Sequence, residues 1–226
     1  MKRIVKTLLL AVAVAMAVSQ ASALTFQYNI EFSGGQAPGG SPPWLTATFT
    51  DGAADHVSLT LSASGLTGSE NVTEWDFNLT DSFIGSLSFL KTSQTGTFTD
   101  PIISQLSNAF KADGDGNYDI EFLFATGSAA ARFGAGESVT YDISATGLTA
   151  NDFNLLSEPA GGHGPFLSAA HVQNTTGAGT GGSGWIAPGG GNNTPDSGST
   201  AMLLGAALGS VEVLRRLLLK KRSATV

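Results

Sequence analysis

Apolar and polar residues alternate through the middle of this 226-residue chain with the period of a half-buried β-strand. Leu24, Phe26, Tyr28, Ile30 and Phe32 fall on one side of such a strand, with Thr25, Gln27, Asn29 and Glu31 on the other. The pattern returns at Leu45, Ala47 and Phe49, at Val57, Leu59, Leu61 and Ala63, and at Trp75, Phe77 and Leu79. It recurs at Leu87 and Phe89, at Tyr118, Ile120, Phe122 and Phe124, and at Val139, Tyr141, Ile143 and Ala145. Turn formers punctuate these runs, among them Gly34-Gly35, Pro38-Gly39-Gly40, Asp51-Gly52, Thr67-Gly68 and Asp113-Gly114-Asp115-Gly116. Seven strands with turns between them predict an all-β fold, an antiparallel β-sandwich of jelly-roll-like type. Residues 169–172 and Trp185-Ile186 add two short strands to that expectation.

Helical signals are few. Ile102, Ile103, Leu106 and Phe110 have helical spacing and follow Asp100-Pro101, which predicts one short helix ending before Ala112. Thr149 and Asp152 have the spacing of a capping box and predict a single turn through Leu155. Between residues 174 and 193 the chain is almost entirely Gly, Thr, Ser and Asn, a composition that predicts a flexible stalk over residues 174–194. The β-domain is accordingly expected to span residues 24–173.

The two ends read as addresses. Lys2, Arg3 and Lys6 precede an apolar run of 11 residues from Leu8 to Val18, and Ala21-Ser22-Ala23 supplies the small residues of a cleavage site before Leu24. This is the layout of a secretory signal peptide over residues 1–23, with Ala21 and Ala23 as its cleavage residues and signal peptidase as its partner. At the other end, Pro195-Asp196-Ser197-Gly198 precedes an apolar stretch over residues 201–214, followed by Arg215, Arg216, Lys220, Lys221 and Arg222. Fourteen helical residues cover roughly 21 Å of a hydrocarbon core about 30 Å thick, so the segment is a marginal transmembrane helix. Glu212 lies four residues before Arg216, a spacing that pairs them on one helix face. The basic cluster is a stop signal held on the cytoplasmic side.

A proline-acid motif, an apolar helix and an Arg-rich end in this order resemble the PEP-CTERM class of bacterial sorting signals, and Pro195-Asp196-Ser197-Gly198 resembles its VPDSG-CTERM variant. The resemblance implies that residues 195–226 are recognised in the membrane by an exosortase-like processing enzyme that cuts near the motif. It implies a product displayed at the cell envelope, on the surface or in the extracellular matrix, in bacteria that make extracellular polysaccharide. Four further stretches, around residues 111–120, 146–153, 168–173 and 182–186, resemble the all-β ectodomain that accompanies such tails; this likeness implies no activity. The expectation is an exported, non-enzymatic surface or matrix protein, transiently inserted in the membrane by its C-terminal helix. Two alternatives stay open: a carbohydrate-binding module that retains extracellular polysaccharide, and a simple membrane-anchored envelope protein.

Charge narrows the partners. Residues 24–198 hold 17 acidic residues and only Lys91, Lys111 and Arg132 as bases, a formal charge of −14. A surface with so few cations cannot displace counterions from a phosphate backbone, which excludes nucleic acid. The chain has no cysteine, which excludes disulfides, thiolate metal ligands and a Cys nucleophile.

Candidate chemistry is sparse. Asp113, Asp115, Asn117 and Asp119 place oxygen ligands at every second position of a Gly-containing loop, a pattern that suits either a structural calcium ion or a hairpin turn. His163 and His171 lie eight residues apart, and His171 reads as a strand residue bonded to a neighbour rather than a metal ligand. Trp75 alternates with core residues, while Trp44 and Trp185 are candidates for a sugar-stacking platform or for caps on the ends of the core. Neither a Gly-x-Ser-x-Gly elbow nor a His-Glu-x-x-His pair occurs. A hydrolase would need two carboxylates about 5–10 Å apart in a cleft.

Overall fold

A computed structural model describes residues 22–113 and 116–189. The strands among them are β1 (Ala23–Glu31), β2 (Leu45–Asp51), β3 (His56–Ser62), β4 (Asn71–Phe77), β5 (Ser88–Thr95), β6 (Ile102–Lys111), β7 (Asn117–Leu123), the short β8 (Phe133–Gly134), β9 (Ser138–Ser144), β10 (Ser168–Gln173) and β11 (Ser183–Pro188). The seven strands predicted from alternation are β1, β2, β3, β4, β5, β7 and β9, and the two short ones are β10 and β11. In β2, β3 and β9 the apolar residues at every second position are buried and the polar ones between them half-buried.

All pairings are antiparallel, and they join the strands into one sheet in the order β5-β9-β3-β2-β1-β11-β10-β4-β7-β6, with β8 beside β4. The all-β, antiparallel part of the expectation is met: a single hydrogen-bonded sheet curls into a half-barrel whose inner face encloses the main core. Strand twist accumulates over so many strands and brings the two ends of the sheet toward each other. Phe122 on β7 meets Phe89 on β5 and Tyr141 on β9 at ring-centre distances of 5.7 and 5.6 Å. Phe77 lies at the centre of the core, against Phe49 at 5.4 Å, Phe122 at 5.8 Å, Trp75 at 6.1 Å and Phe26 at 6.4 Å.

One side chain bridges the two edges of the curl. The Gln105 amide on β6 donates to the Leu87 carbonyl at 3.0 Å and accepts from the Leu87 N–H at 3.2 Å, just before β5 begins. It makes the pair of bonds that a neighbouring strand would make. Gln105→Ala is expected to cost about 1 kcal/mol, lowering Tm by about 2–4 °C, as measured by thermal melting of the full chain. An unchanged Tm would show that this bridge contributes nothing to holding the edges.

Two sequence expectations are overturned. Residues 102–110 form no helix; they belong to β6, an edge strand paired with β7. Between Gln105 and Phe110 the register jumps, and Asn108 adopts φ 50° in the bulge. The expected stalk over residues 174–194 is likewise corrected as far as residue 188. Residues 174–182 turn back as a hairpin loop, and β11 lies in the middle of the sheet between β1 and β10. Glycine is used there for close approach rather than flexibility: a Cβ on Gly179, at φ 107°, would stand 2.1 Å from the Gly35 carbonyl oxygen. The capping box at Thr149 and Asp152 is present, at the start of a 3₁₀ turn over Ala150–Phe153.

Strand β1 pairs with β11 at the sheet centre, Tyr28 opposite Pro188 and Glu31 opposite Ile186, so the chain enters β1 and leaves β11 at the same end of the sheet. The expected signal peptide up to Ala21, and the expected sorting motif and C-terminal helix from residue 190 onward, lie outside the described residues.

Candidate functional site

On β4, Trp75 and Phe77 point into the core, so Glu74 and Asp76 project from the opposite face of the sheet. Asp76 stands opposite Glu121 of β7 on one side and Ala169 of β10 on the other. Glu74 stands opposite Leu123 and His171. This register gathers three carboxylates, Glu74, Asp76 and Glu121, whose ligand oxygens lie within 4.8 Å of one another.

Their environment is unlike that of surface acids. Asp76 has no solvent exposure, and among the described residues its carboxylate oxygens meet no backbone N–H or hydroxyl donor, only the neighbouring Glu74 carboxyl. Ala169 beside it belongs to a second apolar cluster on this outer face, with Phe32, Ala112, Tyr118 and Ala187 buried and Phe110, Phe166 and Trp185 packed against them. Burial pushes the Asp76 carboxyl well above its ordinary value, and the charges of Glu74 and Glu121 add to the shift. Glu74 is pushed up to about 7, first by burial and then by Glu121, with an interaction with Asp76 acting in the opposite direction. Burial also raises Glu121. Among the described residues, Lys91 is paired with Asp100, and Arg132 donates to the Thr126 and Gly127 carbonyls. Nearby His171 accepts from or donates to the Thr73 hydroxyl at 2.7 Å through Nδ1, and burial lowers its pKa, favouring the neutral ring.

The acids predicted from sequence are placed elsewhere. Asp113, at φ 50°, and Gly116, at φ 84°, lie in the β6–β7 hairpin closed by Lys111 opposite Asn117; Asp115 lies outside the described residues. Asn117 exchanges both backbone bonds with Glu158, at 2.8 and 3.2 Å. The Asp119 carboxylate accepts from the Leu79 N–H at 2.9 Å and the Asn108 N–H at 2.8 Å, which ties the β6 bulge to the segment just after β4. Asp119 is therefore occupied in holding backbone, and the acids brought together are a set that the loop pattern did not indicate.

A cavity of about 220 Å³ elsewhere is lined by Glu70, Asn71, Arg132 and Glu137, among others. Both acids are engaged. Glu70 accepts from the backbone N–H groups of Gly39, Thr67 and Thr176, and Glu137 from those of Thr97 and Gly134. The histidines do not converge: His56 pairs with Asp142 at 2.9 Å on the far side of the sheet, and His163 packs near Phe32. Trp75 is core, as expected. Trp44 is only 7% exposed and its indole N–H donates to the Gly40 carbonyl, so it caps the core and offers no sugar platform. Trp185 is half-buried beside His171, 5.0 Å between ring centres.

Comparison with protein-family models, with curated proteins and with solved structures gives no match for this chain.

Proposed function

We propose that the chain is an exported, non-enzymatic surface or extracellular-matrix protein whose C-terminus is processed by an exosortase-like enzyme. The observation that carries this reading is the order of features at the two ends of the sequence: a signal peptide, then an all-β domain, then Pro195-Asp196-Ser197-Gly198, an apolar segment and a basic cluster. The domain's limits support it. All buried β1 side chains, from Leu24 onward, lie after the predicted cleavage site, so among the described contacts removal of residues 1–23 costs the sheet the pairing of Ala23 with Thr50 and the two bonds between Ser22 and Asp51. Strand β11 ends at Pro188, seven residues before Pro195, so a cut at the motif leaves every described strand intact. The cavity acids serve as backbone acceptors, which favours a structural or binding role over hydrolysis. Of the proposed sugar platform only Trp185 retains exposed surface, which places the carbohydrate-binding reading second.

Intact mass of the mature protein from its native host, taken by cell fraction, tests the proposal. The expected product begins at Leu24 and ends between Pro195 and Gly198. Changing Pro195 and Asp196 to Ala should abolish the C-terminal cut. A chain that keeps its tail in the membrane fraction would instead identify an ordinary anchored protein.

A further inference from the structure

We propose that Glu74, Asp76 and Glu121 bind one hard divalent cation, and that Ca²⁺ is the ion this donor set fits best. The inference is independent of how the chain is sorted.

Three features carry it. The donors are carboxylate oxygens alone, which selects the oxygen-preferring class over metals that favour imidazole or thiolate. Their separation fits: ligands 2.3–2.6 Å from Ca²⁺ lie on a shell about 5 Å across, and these oxygens lie within 4.8 Å of one another. The third feature is Asp76 itself. A fully buried carboxylate that meets no backbone N–H or hydroxyl donor among the described residues, only another carboxyl, is costly as a bare charge and must hold a proton or a cation. It is aimed at two further carboxylates, and a second negative charge beside it stabilises nothing unless a positive ion sits among them. Glu74 and Glu121 are half-buried, so the site opens to water on their side, which supplies both the path in and the remaining ligands. Mg²⁺ prefers one or two carboxylates and keeps its waters, whereas Ca²⁺ tolerates several carboxylates in irregular geometry. Mounting on two paired strands, with Asp76 and Glu121 directly opposite, holds the donors in place before the ion arrives.

The test uses the full chain stripped of metal by a chelator, with CaCl₂, MgCl₂ and MnCl₂ as probes. Calorimetry should find one Ca²⁺ per chain. At about 100 times the dissociation constant, Tm should rise by about 5–10 °C. Asp76→Asn and Glu121→Gln should each weaken binding at least about tenfold, whereas Asp113→Asn in the hairpin should leave it unchanged. Folding of the Asp76→Asn protein is checked in chelator at pH 8, where its Tm should equal or exceed that of the wild type. The proposal is overturned if none of the three cations shifts the wild-type Tm, if the shift survives in Asp76→Asn, or if Asp113→Asn abolishes it. In the first case the carboxylates are a proton-sharing cluster only.

Discussion

Glu70→Ala is expected to lower the Tm of the full chain by about 6–12 °C, corresponding to about 3 kcal/mol in a domain of this size. Glu70 is 1% exposed, and its two oxygens collect five hydrogen bonds. Oε1 accepts from the Gly39 N–H at 2.7 Å and from the N–H and hydroxyl of Thr176 at 3.1 Å, while Oε2 accepts from the N–H and hydroxyl of Thr67. Three loops that share no strand are thereby tied to one carboxylate at the start of β4. Removing it orphans three backbone donors, and an unmet buried donor costs more than a bond contributes. Burial alone would raise its pKa, but the bonds from Gly39, Thr67 and Thr176 outweigh burial and hold it below 4.5. A lowered folded pKa means that the stabilisation is present above 4.5 and is lost as pH falls through the folded value. The gap between wild type and Glu70→Ala should therefore narrow on acidification, as followed by denaturant unfolding at a series of pH values. A gap independent of pH would show that packing, not charge, is what Glu70 contributes.

Residues such as Glu70 mark the boundary of what the sequence discloses. Strands with one face in the core announce themselves, because a period of two is imposed by the pleat; β1, β2, β3 and β9 are legible for that reason. Strand β6 is not, since the bulge between Gln105 and Phe110 breaks the period and leaves Ile102, Ile103, Leu106 and Phe110 with helical spacing by coincidence. Strand β11 is legible only at Trp185-Ile186, because the loop before it is rich in glycine needed for close backbone approach. The acidic cluster is the least visible. Glu74 and Asp76 occupy the polar phase of β4, which reads as a solvated face, and Glu121 arrives 45 residues after Asp76 through a pairing that no local pattern specifies. Only burial on both faces of β4, seen in Asn71, Thr73 and Asp76 as well as Val72, Trp75 and Phe77, separates it from an ordinary half-exposed strand.

That cluster gives stability a pH dependence of opposite sign to that of Glu70, and cation binding should reverse it. Asp76, Glu74 and Glu121 all have folded pKa values above their ordinary ones, so between about pH 4.5 and 7 the native state binds more protons than the unfolded chain. The cluster's contribution to the stability of the metal-free protein must then fall as pH rises through this window. Glu74 is at its titration midpoint near 7, and Asp76, raised well above its ordinary value, adds to the decline. Burial lowers the His171 pKa, so this titratable neighbour on β10 contributes in the opposite sense below about 6.5 and offsets part of the decline, and the Tyr28 phenol is raised by burial and stays protonated. In chelator, Tm should pass through a maximum near pH 5, set by Glu70 on the acid side and by the cluster on the other. Asp76→Asn removes the largest member, so its Tm should decline less from pH 5 to 8 and cross above that of the wild type. With saturating Ca²⁺ the wild-type order is restored, because the ion binds the deprotonated site and stabilises most where protons compete least. A metal-free wild type whose Tm rises steadily from pH 5 to 8 would mean that the three carboxylates are ionised in the native state at little cost, and the crowded, desolvated site inferred from their geometry would have to be abandoned.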